Sequence, residues 1–522
     1  MPKYRHLIAG SIGIAIALGN LEATASASKQ LKIQNQIAQT APSLPMVSER
    51  PDRCPIVEYT PPQFPPQPPF SQPSTTPEYL NPEPNPLRRA NKPEDVAIIG
   101  TQPITLQQAL DLALRNNPDL IEADLTLERA QAALREARAA YFPTLTLRGD
   151  LIRNDSAQAD FQNEQRQQQG LPLTDSTSTS LSSTLELNYP IYTAGRRSAA
   201  IEAAEKQVRL SELEVERLTE QIRLDVYNAY YDVQTADEQV RISQKAVENA
   251  RQSLRDAKAL ERAGVGTCFD VLRAQVQLGN EIQNLTQALR DQRVSRRQLA
   301  QLLNISEQFD IAAAEPVEIA GFWNLSLEES IVLALKNRAE LEQQLVQREL
   351  RQQQRRLARA EQGPQVNLFA QYNVIEGFND NLGSGDGFAV GARLQWELFN
   401  GGATRARAER ETANIASEET RFTNQSNLVR QQVERAFYDL RANFENIQTA
   451  SVEVERATES LRLARLRFQA GVGTQTDVIN AETELTRAEG NRLRAIVGYN
   501  RALANMQRSV SNLPRPTAAL SP

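Results

Sequence analysis

The stretch "ERAGVGTCFDVLRAQ", Glu261–Gln275, contains a turn motif that the chain repeats as "FQAGVGTQTDVINAE", Phe468–Glu482. Both copies read AGVGT, then two variable positions, then Asp-Val. Gly264 and Gly471 are separated by 471 − 264 = 207 positions. Two near-identical motifs at such a distance indicate a tandem duplication, which decides the fold before any single element is considered.

The duplication extends outward from the turns. "ITLQQALDLALRNNPDL" from Ile104 matches "LSLEESIVLALKNRAEL" from Leu325 at an offset of 221, whereas "LELNYPIYTAG" matches "LQWELFNGG" at 207. The offset falls by 221 − 207 = 14, so the first copy has the longer loop between Arg148 and Leu181. Each copy predicts a helix, two short strands around a loop, a very long helix, the AGVGT turn and a last helix.

Outside the repeats the sequence predicts an export signal and a spacer. Lys3 and Arg5 precede an apolar run and small residues, as in a secretory signal peptide. Sixteen of the 27 prolines fall in 42–93, which favours extended, unpacked chain. The predicted parts are a signal peptide 1–25, a proline-rich flexible segment 26–103, a first repeat 104–303, a connector 304–324, a second repeat 325–510 and a tail 511–522.

Composition excludes several classes of function. The net charge is −6 over 522 residues, so no basic face for nucleic acid is expected. The one histidine, His6, lies in the signal peptide, which excludes histidine triads and histidine metal sites from the mature chain. No cofactor or metal is predicted. Cys54 and Cys268 allow one disulfide in an oxidising compartment. No later run of about 18 apolar residues predicts a membrane helix.

The short segments alternate apolar and polar residues with the period of a half-buried strand; for example, Leu145 and Leu147 alternate with Thr144, Thr146 and Arg148. The four segments are 144–151, 184–191, 366–374 and 388–398. Aromatic residues near their ends favour a lipid-facing barrel wall: Tyr189, Tyr192, Tyr372, Trp396 and Phe399. A small soluble sheet is the alternative. Four strands cannot close a barrel, so identical copies must combine their strands: two copies would supply eight and three would supply twelve.

The predicted helices are unusually long. The stretch 196–262 contains neither proline nor glycine and would span roughly 100 Å at about 1.5 Å per residue. Helices are predicted at 105–140, 196–262, 268–303, 325–362, 403–469 and 475–510, the shorter ones stacking end to end to give about four rod lengths per chain. Their narrow apolar seams fit either a single-layer wall with water on both faces or a solid coiled-coil rod.

The repeated turn has a structural reading as a tight helical hairpin. Gly264 and Gly471 can take the left-handed conformation that ends a helix. A threonine cap and an aspartate three positions later can complete a capping box in each copy: Thr267 with Asp270, and Thr474 with Asp477. A hairpin tip needs one glycine, so we expect the remaining repeated residues to serve end-to-end docking: Val265, Gly266, Val472 and Gly473.

The duplicated halves, strand pairs and AGVGT..DV tips resemble the TolC family of outer-membrane efflux proteins over about 104–510. The resemblance implies a mostly α protein with a small membrane β-barrel portion. It implies a homotrimer with a twelve-stranded barrel in outer-membrane lipid and an α-helical tunnel in the periplasm. The implied partners are a periplasmic adaptor (membrane fusion) protein and an inner-membrane pump or ABC transporter. The residues that resemble the adaptor-docking tips are Gly264, Val265, Gly266, Thr267, Gly471, Val472, Gly473 and Thr474.

At the periplasmic mouth, Asp270 and Asp477 resemble the family's acidic residues. Three positions depart from the enterobacterial pattern: Phe468 replaces a gating tyrosine, Gly473 an arginine and Asn480 a second aspartate. If a gate exists in this chain, these departures from the family pattern predict that it is apolar, through Phe468, with one Asp477 per subunit.

The sequence favours a passive exit duct for efflux or type I secretion rather than an enzyme, because no nucleophile, phosphate loop or metal cluster is recognisable. A periplasmic coiled-coil scaffold or adaptor-like protein is the alternative. Acidic residues follow helix faces, where a solvated surface is their ordinary explanation.

Overall fold

The computed structural model describes residues 77–82, 85, 87, 91–173, 175–378 and 383–511. These residues belong to one unit, Pro65–Pro522, while a second unit, Met1–Phe64, lies outside them. In chain order the elements are β1 (Gly100–Ile104), α1 (Leu106–Asn116), α2 (Pro118–Ala139), β2 (Thr144–Asp155), α3 (Ala157–Gln168), β3 (Thr177–Tyr192), α4 (Arg196–Arg262), α5 (Cys268–Leu302), β4 (Phe309–Ala313), α6 (Leu327–Asn337), α7 (Ala339–Ala360), β5 (Gln365–Gly377), β6 (Ser384–Gln395), α8 (Ala403–Gln469) and α9 (Gln475–Ser509).

The long helices follow the prediction closely. α4 and α8 each contain 67 residues, and α5 and α9 each contain 35. The predicted helices at 105–140 and 325–362 are instead each broken in two. Asn117 leaves the helical conformation, its side chain accepts hydrogen bonds from two backbone N–H groups of α2, and Pro118 follows it. Arg338 marks the same break in the second copy.

The break changes which segments stack end to end. The Asn304 side chain donates to the Asn116 carbonyl at 2.9 Å, so α5 ends where α2 begins. Arg338 Nη1 donates to the Ser509 carbonyl at 3.2 Å, so α9 ends where α7 begins. We call α2 with α5 the first composite rod and α7 with α9 the second. Each contains 22 and 35 helical residues, somewhat fewer than one long helix.

The rods follow one another side by side. α4 packs against both parts of the first composite rod and both parts of the second, and α8 packs against both parts of the second. The order is therefore first composite rod, α4, second composite rod, α8. The short helices repeat this relation, because α1 packs on α4 and α6 packs on α8.

The four predicted strands form one antiparallel sheet in the order β2-β3-β5-β6. Its faces carry exposed apolar side chains, among them Leu147, Phe388 and Val390. β3 begins at Thr177, earlier than predicted, and β6 ends at Gln395, before the predicted limit of 398. The extra length of the first copy's loop contains the helix α3, which the sequence did not predict.

A second, two-stranded parallel sheet joins the N-terminal segment to the connector, because β1 pairs with β4. The Leu80 side chain is buried beside it, and Tyr230 on α4 donates a hydrogen bond to the Ile104 carbonyl at 3.1 Å. The end of the segment predicted to be flexible over 26–103 is therefore packed. The physical reason is that Leu80 and the neighbouring apolar residues of β1 and β4 bury one another.

Several predictions fall outside the described residues: the signal peptide 1–25, most of the proline-rich tract, Cys54 with its disulfide to Cys268, and the tail beyond residue 511. Among the described helices, none combines the length and apolar character that crossing a membrane requires.

Candidate functional site: the paired hairpin tips

The two AGVGT turns connect α4 to α5 and α8 to α9. Gly264 and Gly471 adopt φ values of 77° and 73°, the left-handed conformation expected at a helix end. The next two N–H groups in the first turn, those of Val265 and Gly266, both donate to the Leu260 carbonyl, at 3.1 and 3.0 Å. The turn thus satisfies backbone carbonyls that the end of α4 would otherwise leave without partners.

The second glycine of each turn has a steric role that the sequence argument missed. A Cβ atom added to Gly266 would lie 2.9 Å from the Glu261 backbone nitrogen. A Cβ added to Gly473 would lie 3.0 Å from both the Arg467 Cβ and the Phe468 backbone nitrogen. The turn folds back onto its own helix so tightly that only glycine fits. The repetition of this second glycine therefore needs no docking partner to explain it.

The predicted capping boxes are present in both copies. Thr267 Oγ1 accepts from the Asp270 N–H at 3.3 Å, and the Thr267 N–H donates to the Asp270 carboxylate at 3.2 Å. In the second copy the corresponding distances between Thr474 and Asp477 are 3.2 and 3.0 Å. The hydrogen bond from the Thr474 backbone N–H lowers the pKa of Asp477. Both aspartates therefore have a structural task, and their role at a periplasmic mouth stays a prediction.

The valines between the glycines remain without packing partners in the turn. Val265 is 74 % exposed and Val472 is 70 % exposed. Arg273 Nη1 donates to Thr476 Oγ1 at 2.6 Å, which holds the two hairpins together next to their tips. The chain consequently presents two apolar knobs close to one another, each between two stretches of bare backbone.

Phe468, the residue of the predicted apolar gate, is buried within this chain, and its part in a gate stays a prediction. Phe468 is only 8 % exposed and belongs to a core cluster within the second hairpin that includes Leu461, Val478 and Leu485. Its ring stabilises the pairing of α8 with α9, because burial of an aromatic ring contributes strongly to packing. Asn480, the other expected mouth residue, is exposed on α9.

A polar cluster further along the helices was not predicted. Ser253 Oγ of α4 donates to the Glu482 carboxylate of α9 at 2.6 Å, and Arg465 Nη2 of α8 donates to the same oxygen at 2.9 Å. Arg465 Nη2 also donates to Asn249 Oδ1 at 3.1 Å. We call these four residues the three-helix latch. Glu482 is 5 % exposed, and the missed signal was its position on the apolar stripe of α9, between Val478 and Leu485.

Most of the predicted barrel aromatics gather at the end of the sheet nearest the helices. Tyr192 ends β3, while Trp396 and Phe399 follow β6 rather than lying on it. The Trp396 indole N–H donates to the Gln362 carbonyl at 3.1 Å, which leaves its ring 57 % exposed. Tyr189 lies on β3 and Tyr372 on β5, where the Tyr372 hydroxyl donates to Asp386 at 3.0 Å. Exposed aromatic rings at a sheet boundary are typical of the girdle of a membrane barrel.

Comparison with known proteins gives the same picture. The family model "Outer membrane efflux protein" matches residues 109–304 and 330–511. The chain is 25 % identical to Protein CyaE of Bordetella pertussis over 382 residues, which cover 73 % of this chain and 78 % of that protein.

Solved structures with the same fold include the CusC channel, with a TM-score of 0.67 and 16 % identity over 85 % of this chain and 99 % of that one. The open MtrE outer membrane channel of Neisseria gonorrhoeae gives a TM-score of 0.65 and 19 % identity, over 83 % and 97 % of the two chains.

The family model covers well over half of the chain and matches both repeats, and the fold is that of channel proteins. The protein is therefore a member of the outer membrane efflux protein family, an outer-membrane channel component of an efflux or secretion system with its helical part in the periplasm.

Proposed function

We propose that three copies of this chain close into one passive exit duct. Their four-stranded sheets would pool into a twelve-stranded barrel in the outer membrane, and their rods into an α-helical tunnel below it. The hairpin tips would dock a periplasmic adaptor protein, and an inner-membrane pump or ABC transporter would supply the energy. The two proposed repeats, 104–303 and 325–510, would then alternate around the ring.

One observation carries the ring closure. α4 and α8 occupy equivalent positions in the two repeats, yet within the described part of the chain α4 is flanked by composite rods on both sides while α8 has one on a single side. The rod that would complete the surroundings of α8 is a first composite rod. Within one chain that rod lies at the opposite edge, beyond α4. A second copy supplies it, and such head-to-tail contacts form a ring when the rotation closes.

The exposed side chains of the two edge rods fit this contact. On α5, the exposed apolar residues share one helix face, opposite the face that is buried against α4: Phe269, Leu272, Val276 and Val294. On α8, a similar stripe lies away from the buried face: Tyr438, Val452 and Leu463. Among the described residues, the inner helices α4 and α9 expose no large apolar side chain. Apolar stripes confined to the edges are typical of an interface.

The sheet gives independent support. Within the described residues β2 and β6 pair on one side each, so both edges present unpaired backbone groups. Open edges do not occur in the hydrocarbon region of a membrane, because their N–H and C=O groups would lose hydrogen bonds. Joining β6 of one copy to β2 of the next removes every edge. Three copies give twelve strands, within the range of bacterial barrels.

Electron microscopy of the detergent-purified protein tests the ring. We expect a particle with three chains and with helical walls of roughly 100 Å, set by the length of α4 and α8. A stable particle with another number of chains would contradict the trimer. A protein that is released by alkali without detergent would contradict the barrel.

Replacement of both tip valines tests the docking surface. Val265→Ser with Val472→Ser keeps the glycines and caps but removes both apolar knobs, so we expect export to fall at least about tenfold while the oligomer persists. Val332→Ser, at an equally exposed valine on α6 (66 %), is the matched control and should export normally. Normal export by the double variant would show that the tips dock nothing through these side chains.

A further inference from the structure

Arginines from three long helices converge on a recess of about 700 Å³ beside the joint between α9 and α7. We call it the basic recess. Its charged lining consists of two carboxylates, Glu340 and Asp439, and five guanidinium groups: Arg217 on α4, Arg338 before α7, Arg435 on α8, and Arg501 and Arg508 on α9. A recess of this size accommodates a small organic molecule.

The innermost part of the recess is short of negative charge. Arg338 and Arg508 are 6 % and 7 % exposed, and both pair with the one carboxylate of Glu340, at 2.9 and 2.7 Å. Nε of Arg508 and Nε of Arg501 are shielded from solvent and have no hydrogen-bond partner among the described residues. Asp225 acts on Arg508 only at longer range. A buried guanidinium N–H without an acceptor is costly, so the site favours an additional anionic group.

The outer arginines are better neutralised but still offer donors. Arg217 pairs with Glu214 at 2.6 Å, Arg435 approaches Asp439 at 3.7 Å, and Arg501 pairs with Asp232. Each guanidinium has five N–H groups and these carboxylates engage a minority of them. Planar, bidentate binding of carboxylate or phosphate groups is the geometry that such free N–H groups favour.

The recess lies on the face of the rods away from the connector. On α9, Tyr499 donates to the Gly321 carbonyl at 2.8 Å, and Leu503 belongs to a hydrophobic cluster against which Trp323 of the connector packs. At about 100° per residue, Arg501 and Arg508 lie on the opposite side of α9. On α4, the Tyr230 hydroxyl accepts a hydrogen bond from the Glu315 N–H of the connector at 3.4 Å, and Arg217 lies roughly opposite to it.

Closure of the ring puts this face inside. Twelve rods about 9–10 Å apart make a circle only about 35 Å across between helix axes. If they lay inside, three copies of the connector, of the β1-β4 sheet and of the helices α1 and α6 would have to share this bore. These elements must therefore lie outside, so the opposite face, with the basic recess, lines the bore.

We propose that the basic recess binds carboxylate or phosphate groups of small organic anions on their way through the bore, three recesses per trimer. The assignment rests on the proposed ring, which places the recess along the path of the cargo. It makes the middle of the tunnel selective for anions, although the chain as a whole carries a net charge of −6.

A titration with a trisulfonated pyrene dye, followed by fluorescence anisotropy on the detergent-purified oligomer, tests binding. In the double variant Arg217→Gln with Arg501→Gln we expect the dye to bind at least about fivefold more weakly. Each of the two substitutions removes a guanidinium group and its charge-assisted hydrogen-bond donors. Inorganic phosphate should compete with the dye in the unchanged protein. Arg241→Gln with Arg487→Gln is the matched control, again one arginine on α4 and one on α9, each paired with a glutamate three residues earlier.

Equal losses of dye binding in the two double variants, or no saturable binding to the unchanged oligomer, would overturn the proposal. Reversal potentials of the channel in a lipid bilayer under a KCl gradient give a second readout, and the recess variant should shift them toward cation selectivity. Absence of current in every variant, with dye binding intact, would instead contradict the duct. Failure of the recess proposal and failure of the proposed duct are therefore distinguishable. Unchanged elution of each variant oligomer in size-exclusion chromatography verifies that it is folded.

Discussion

At the residue scale, Gly264 and Gly266 are needed for different reasons. The first has a positive φ, and the second lies where a Cβ would collide with backbone atoms of the preceding helix turn. The same pair of reasons applies to Gly471 and Gly473. The geometry of the hairpin thus explains the glycines of a motif that looks like a binding signature, and the two exposed valines are the part that the proposed docking partner would contact.

Substitution of the second glycine should open the hairpin. In Gly266→Ala the new methyl group would lie within 3.1 Å of atoms of Leu260 and Glu261, so we expect the turn to lose about 1–3 kcal/mol of local stability. Hydrogen exchange of the amides of 258–272 measures the loss. Gly279→Ala on α5 is the control, because nothing lies within 4 Å of its Cβ position and a helical glycine gains from this change. Equal exchange in both variants would contradict the steric argument.

Glu340 holds together the two helices of the second composite rod, α7 and α9. Burial by itself would raise the pKa of this carboxyl group, but hydrogen bonds and charges from Arg338 and Arg508 outweigh that effect and lower it to about 2. Burial in turn lowers the pKa of Arg338. Because the folded-state pKa of Glu340 is depressed, its stabilising contribution is complete above about pH 4.5 and is lost only as the pH falls toward 2.

At the element scale, the three-helix latch links the second hairpin to α4. Glu482 on α9 accepts from Ser253 on α4 and from Arg465 on α8, so any movement of the second hairpin away from α4 must break a buried, charge-assisted hydrogen bond. The latch is specific to the second copy. The position 207 residues before Glu482 is Gln275, and the one before Arg465 is Lys258.

Weakening the latch should loosen the tips. In Glu482→Gln the side chain keeps its shape but loses the charge that pairs with Arg465, so we expect amides of 470–485 to exchange about tenfold faster, equivalent to about 1.4 kcal/mol. Glu484→Gln, two residues away in an exposed pair with Arg487, should change little. If the two variants behave alike, the latch does not restrain the hairpin.

The elements differ in how far the sequence predicts them. The long helices and the four strands follow from periodicity and from the duplication, since each copy supports the other. The break at Asn117 had a local signal, because a residue before proline avoids the helical conformation. The break at Arg338 had no local sequence signal, and it could be predicted only because Arg338 occupies the position in the second repeat that Asn117 occupies in the first. The latch and the basic recess join residues of three helices far apart in sequence, so they require the packing of the rods.

At the scale of the whole molecule, the exposed stripe on α5 should be covered in the assembly. Val276→Glu places a charge in the middle of that stripe, so we expect each contact between neighbouring copies to weaken by at least about 1–2 kcal/mol and the detergent-stable oligomer to dissociate at lower temperature. Val332→Glu on α6 makes the same substitution at an equally exposed site and should leave the dissociation temperature unchanged. A similar fall in both variants would move the interface elsewhere.

Because α8 has a composite rod on one side and α4 has one on both, the proposed ring of three chains would contain six junctions between repeats, of only two kinds. Half of these six junctions would lie within a polypeptide and half between polypeptides, and at each of them a long helix would meet a composite rod. This arrangement is quasi-equivalent, and it allows alternate sectors to specialise. Glu482 ties the second hairpin of each chain, and the first hairpin has Gln275 at the equivalent position. In the proposed ring, three hairpins fastened by this glutamate would therefore alternate with three that lack it.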